Sequence, residues 1–131
     1  MGKQAIVPHG GERTYEAFHF APAMRDGDLL WCSGQTGTGV DGKNADSPEE
    51  QFVGAFEEVR KILEHAGSSF ADVVEMTSFH VGFGEHLGTF MKVKDRYVKE
   101  PYPAWRAIGV SELAFGSLVE VKVVARIGAG S

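Results

Sequence analysis

The chain contains a single cysteine, Cys32, among 131 residues. A lone thiol excludes an intramolecular disulfide framework. Its neighbours Leu29, Leu30 and Trp31 read as a buried strand in which the thiol is a small hydrophobe, and no His or Lys beside it would make it a nucleophile. Basic charge is short as well: 13 Lys and Arg against 18 Asp and Glu leave a formal net charge of −5. Nothing here supplies the counterion release that dominates nonspecific nucleic-acid affinity, so nucleic acid is not an expected partner. No apolar run reaches the roughly 20 residues of a membrane span, and the N-terminus has no signal-peptide pattern. A cytoplasmic protein without a membrane partner is expected. His65, His80 and His86 lack metal-ligand spacing to one another or to a cysteine, so no metal is expected.

What is present is enough apolar sequence, 43% of residues, for one core and one domain spanning 1–131. Ala5-Ile6-Val7 and Tyr15 to Phe20 alternate weakly and read as one or two short strands around the turn residues Pro8 to Gly11. Arg25-Asp26-Gly27-Asp28 is a tight turn leading into the apolar strand Leu29 to Ser33. Gly34 to Asp46, rich in glycine, reads as a mobile loop. Ser47-Pro48-Glu49-Glu50 opens a helix that runs to about Gly67, because Ser47 can cap it, Pro48 suits its first position and Glu50 completes a capping box. Phe52, Phe56, Val59, Leu63 and Ala66 form its apolar face.

Asp72 to Val81 reads as a β-branched strand. A second amphipathic helix spans about Glu85 to Val98, with Leu87, Phe90, Met91, Lys94 and Tyr97 on one stripe and Lys94 the odd polar member. Pro101 and Pro103 stop it. Arg106 to Val110 and Leu118 to Ile127 close the chain as strands. This order implies an α+β fold, a mixed β-sheet with two helices packed on one face. The other face then needs a cover, and a second copy of the chain is the natural one, which predicts a homo-oligomer.

Candidate chemistry gathers at Pro103-Ala104-Trp105-Arg106 and at Glu120 in the last strand. Gly34-Gln35-Thr36-Gly37-Thr38-Gly39 is glycine-rich but lacks the lysine and the immediate helix of a phosphate-binding loop. Ser33-Gly34-Gln35 after an apolar strand, Ala66-Gly67-Ser68-Ser69, Asp72-Val73-Val74, Tyr102-Pro103-Ala104 and Glu120, in this order and spacing, resemble the RidA/YjgF family, also called L-PSP endoribonucleases or reactive-intermediate deaminases. The resemblance covers about Phe18 to Ile127. It implies a chorismate-mutase-like fold, a homotrimer, and small-molecule clefts at the subunit interfaces where 2-imino or enamine acids are hydrolysed to keto acid and ammonia without metal or organic cofactor. In such members an arginine directly after the Pro-Ala pair clamps the substrate carboxylate, and a glutamate on the last strand orients water or relays a proton.

Carried over by position, the glutamate falls on Glu120 and the backbone-donor turn on Ser33, Gly34 and Gln35. The arginine position falls on Trp105. Arg106 is one residue further on, and a one-residue step along a strand reverses the face of a side chain, so Arg106 substitutes only if a bulge re-aims it. Phe20 stands at a family tyrosine and Lys94 at a frequent asparagine; Ala107 completes the candidate lining. Pro103-Ala104-Trp105 and Ala125-Arg126-Ile127 resemble a YjgH-like branch. Trp105 reads either as an interface anchor or as an aromatic wall for a planar ligand. Glu120 reads as a catalytic carboxylate or as a strand residue paired with Lys122 or Arg126. The expected activity is hydrolytic deamination of imines through water activated by Glu120. The alternatives are a noncatalytic metabolite-binding trimer and the ribonuclease or translation inhibitor of the older family name.

Overall fold

In a computed structural model, which describes residues 2–127, strands and helices follow one another as β1 (Gln4–Ile6), α1 (Glu12–Phe18), β2 (Ala23–Asp26), β3 (Leu29–Cys32), α2 (Pro48–His65), β4 (Val73–His80), α3 (Phe83–Tyr97), β5 (Ala104–Gly109) and β6 (Val119–Arg126). Residues 1 and 128–131 of the expected domain lie outside the described residues. The six strands form one sheet in the order β1-β2-β3-β6-β4-β5. Among the described residues only the β4–β5 pair is parallel. The mixed α+β architecture therefore follows the sequence expectation, with the last strand inserted at the centre.

Local chemistry explains the helix that the sequence announces most clearly. Ser47 Oγ accepts the Glu50 backbone N–H at 3.1 Å and Pro48 opens α2. The helix buries Phe52, Ala55, Phe56, Val59, Ile62 and Leu63. Beneath lie Leu30, Cys32, Met76, Val119, Val121, Val123 and Ala125 in one continuous core. Burial pushes the Cys32 thiol up to about 12, so it stays protonated and unreactive at neutral pH. Helix α3 adds Phe90 and Val93 to the same core. Tyr97 ties α3 to α2: its hydroxyl donates to Glu57 at 2.7 Å and its ring stacks on Phe56 at 4.9 Å.

Three sequence expectations change. The segment Tyr15 to Phe20, expected as strand, lies mostly in α1, because Tyr15 and Phe18 also fit helical spacing and so short a run does not separate the two periods. Met91, expected on the apolar stripe of α3, is exposed, and Val93 takes the buried place. The loop after Gly34 is pinned rather than free: Thr38 Oγ1 donates to Asn44 Oδ1 at 2.7 Å, and Asn44 Nδ2 donates to the Phe115 carbonyl at 2.7 Å. Gly37 there lies directly on α2, where a Cβ would come within 2.5 Å of the Gln51 carbonyl.

The opposite sheet face carries Met24, Trp31, Phe79, Ile108 and Val124 alongside Glu120, Lys122 and Arg106, as the strand pairing requires. Trp31 is 47% exposed there. Neither α2 nor α3 covers this face, since both pack on the core side. No helix among the described residues is long and apolar enough to cross a membrane.

Candidate functional site

Glu120 is half-buried on the open face of the central strand β6. Its surroundings are shaped by a bulge. Trp31 pairs with Val124, and Gln35 exchanges both backbone hydrogen bonds with Val121 at 2.8 Å, so Cys32, Ser33 and Gly34 occupy the length of only Val123 and Lys122. The extra residue presses the Gly34 backbone onto Glu120. A Cβ at position 34 would overlap the Glu120 carboxylate, which is why glycine suits this place. Ser33 and Gln35 spend their side chains locally: Ser33 Oγ donates to the Ala21 carbonyl at 2.6 Å and Gln35 Nε2 to the Ser33 carbonyl at 3.2 Å. Among the described residues, none of the ion pairs includes Glu120, Lys122, Arg106 or Arg126.

Trp105 and Arg106 face opposite ways. Strand β5 runs in register with β4 through Trp105↔Met76, Arg106↔Thr77 and Ala107↔Ser78, without a bulge. Met76 and Ser78 are buried under the helices, so Trp105 and Ala107 lie on the helix side, whereas Arg106 lies on the open face with Glu120. Strand β4 separates β5 from β6. Two strand spacings and a two-residue offset put the Arg106 and Glu120 backbones on the order of 12 Å apart. A shallow depression of about 160 Å³ lies at Glu75, Met76, Thr77, Ala104, Trp105 and Arg106. Trp105 and Arg106 therefore serve different faces, and within one copy Trp105 and Glu120 are on opposite sides of the sheet. Phe20 is exposed beyond the C-terminus of α1.

The Trp105 indole is fixed by a polar chain that the sequence reading did not anticipate. Nε1 donates to Ser78 Oγ at 2.9 Å, and Ser78 Oγ lies 2.7 Å from His80 Nε2. An indole only donates, so the serine oxygen accepts there; a hydroxyl oxygen can accept twice, so the second bond runs from Ser78 to Nε2 or from Nε2 to Ser78 according to which of Nε2 and Nδ1 carries the imidazole proton. His80 Nδ1 is buried with no partner among the described residues. The signal is present in the sequence, because Ser78 and His80 are two apart and so share one face of a strand. Among the described residues no His, Cys, Asp or Glu group of three is placed to hold a metal. Lys94 reaches over the same indole, with Nζ 4.9 Å from the ring centroid.

Burial holds the His80 imidazole below its ordinary pKa of 6.5. The unfolded chain takes up this proton near 6.5, while the folded chain keeps His80 neutral to lower pH. Between those two values the unfolded state binds more protons, so acidification favours it. Stability from this group is therefore complete above pH 6.5 and is lost as pH falls from there through the lowered folded-state value. Urea titrations at about pH 7 and pH 5 should show a smaller acid loss in His80→Phe than in the native chain. An equal loss in both would assign the acid sensitivity elsewhere.

The chain is similar to known proteins along most of its length. A family model described as Endoribonuclease L-PSP matches residues 11–127. The chain is 37% identical over 126 residues to the RutC family protein YjgH of Escherichia coli (strain K12), covering 95% of each. It is 26% identical over 107 residues to the 2-iminobutanoate/2-iminopropanoate deaminase of Dermatophagoides farinae, covering 80% of this chain and 83% of that one. A solved structure titled Protein YJGH superposes with a TM-score of 0.88 at 37% identity, covering 97% of this chain and 98% of that chain.

Proposed function

This chain belongs to the endoribonuclease L-PSP, or RidA/YjgF, family, and from that premise we propose that it is a hydrolytic deaminase of reactive imines or enamines working as a homotrimer of single 1–131 domains with a chorismate-mutase-like fold. The observation that carries this reading is a half-buried carboxylate, Glu120, laid against the Gly34 backbone and held in no ion pair among the described residues. A carboxylate not neutralised by a cation is available as a proton acceptor. Glu120 takes a proton from water as the water oxygen bonds to the carbon of the protonated imine and the C=N π pair moves to nitrogen. Glu120 then returns that proton to the carbinolamine nitrogen, the C–N bond breaks with its electron pair leaving on ammonia, and the carboxylate takes the hydroxyl proton as the carbonyl forms. No metal or organic cofactor enters this scheme.

Because Glu120 and Trp105 occupy opposite faces, the cleft is assigned to the junction of two copies, one contributing Ser33, Gly34, Gln35 and Glu120, the other Trp105 and Ala107. Covering the apolar face around Trp31 and Val124 is the driving force for that assembly. A noncatalytic metabolite-binding trimer is the second reading, favoured by the presence of Trp105 where the resemblance calls for a carboxylate-clamping arginine. The test supplies the purified protein with imines generated by an amino-acid oxidase and follows keto acid and ammonia release. Faster release than the buffer rate is the expected result; saturable ligand binding with no acceleration would replace the deaminase reading by the binding one. Cleavage of single-stranded RNA by contaminant-free protein would instead support the older family activity, which the net charge of −5 disfavours.

A further inference from the structure

Lys94 is the polar member of the stripe that carries Phe90 and Tyr97, and it is sheltered: its side chain is 12% exposed. Its ammonium lies 4.9 Å from the Trp105 ring centroid. The carboxylate it meets is Asp95 Oδ1 at 3.4 Å, on the adjacent residue and 70% exposed. An ammonium carries three donors, and a sheltered charge needs partners for them, so one long contact to a solvated carboxylate leaves most of this group's capacity unused. Trp105 does not shift to accommodate it, since Nε1 is tied to Ser78 and Phe90 packs against the ring at 6.1 Å. Polar chain, indole and ammonium form one stack running from His80 to the edge strand β5.

This arrangement changes what Trp105 can do. A ring face already occupied by a cation is not a free wall for a planar ligand; it is a platform that holds a positive charge in place. We propose that Lys94 is the anion-recognition residue of the cleft, holding the carboxylate of a small monocarboxylate ligand, with Trp105 as its positioning residue. The assignment rests on the interface cleft proposed above, in which a carboxylate-bearing ligand near Glu120 would meet like charge and requires a compensating cation. Arg106 does not supply it from this half of the cleft, because its side chain is on the opposite sheet face.

The probe is pyruvate, titrated calorimetrically into the purified oligomer, with pyruvamide as the neutral counterpart. Lys94→Met is expected to weaken pyruvate binding by about tenfold or more and to leave pyruvamide unchanged. Lys94→Arg should keep pyruvate within about threefold of the native chain, since the charge is retained. Asp95→Asn removes the competing carboxylate and should tighten pyruvate, which keeps the test decisive even if Lys94→Met does not fold. The proposal is overturned if the native chain does not bind pyruvate, if Lys94→Met binds it normally or loses pyruvamide equally, or if Asp95→Asn weakens it. Lys94-dependent pyruvate binding without imine turnover would sink the deaminase reading alone. Turnover whose KM for carboxylate-bearing imines ignores Lys94 would sink this one alone.

Discussion

In Glu120→Gln, imine hydrolysis should fall by about 10²- to 10⁴-fold, the range associated with losing a positioned general base. Glutamine keeps the length and shape of the side chain beside Gly34 but cannot accept the proton that the attacking water must lose. Glu120 holds no ion pair among the described residues, so its neutralisation strands no buried cation, and the unfolding midpoint and solution mass should match the native chain. The loss should appear in kcat with KM little changed, as expected for an interaction made only in the transition state. Gly34→Ala tests the same geometry from the other side. Its Cβ would overlap the carboxylate, which is the end of a flexible chain and can swing away, so the fold survives and kcat drops. Native-like turnover in Glu120→Gln would remove Glu120 from the chemistry, and with it the deaminase scheme.

How far such a site can be read without coordinates depends on which relationships are local. The Ser47-Pro48 start of α2, the glycine turn before β3 and the proline stop after α3 are decided by neighbouring residues, and each lies close to its expected place. The alternation along β5 also correctly implied that Trp105 and Arg106 face opposite ways. Strand order is a different kind of fact. Strand β6 enters between β3 and β4, so Glu120 is next to Gly34 and Phe79 rather than next to the Trp105–Arg106 strand. No periodicity within either strand encodes that insertion, because the choice of neighbour is made by burial of Val119, Val121 and Val123 under α2 and α3.

The Ser78–His80 pair shows a second limit. Alternation puts both residues on one side of β4, but only the β4–β5 register brings Trp105 Nε1 to the serine oxygen. Likewise Lys94 is visible in the sequence as an anomaly in an apolar stripe, and becomes interpretable only when Trp105 is found beneath it. The short segment from Tyr15 to Phe20 fails for a simpler reason. α1 buries none of its residues, so no core-facing pattern was imposed on it to be read.

Mixing two inactive variants should restore activity. If each cleft takes Glu120 from one copy and the Trp105–Lys94 stack from its neighbour, Glu120→Gln protein supplies a sound Trp105 half, and a Trp105→Ala protein supplies a sound Glu120 half. Unfolding the two together at equal concentration and refolding them allows random co-assembly. A cleft works only when both of its contributors are the intact ones, which leaves about one quarter of clefts active in a closed ring of heterologous interfaces. Activity per cleft in the mixture should therefore recover to about a quarter of the native value, against near-background values for either variant alone. If a single chain furnished both halves, every cleft would carry one lesion and mixing would restore nothing. The face assignment makes the first outcome the expected one: Met76 and Ser78 hold Trp105 on the helix side of the sheet, and the Gly34 bulge holds Glu120 on the other, so no rotamer of either side chain brings them together through the intervening strand β4.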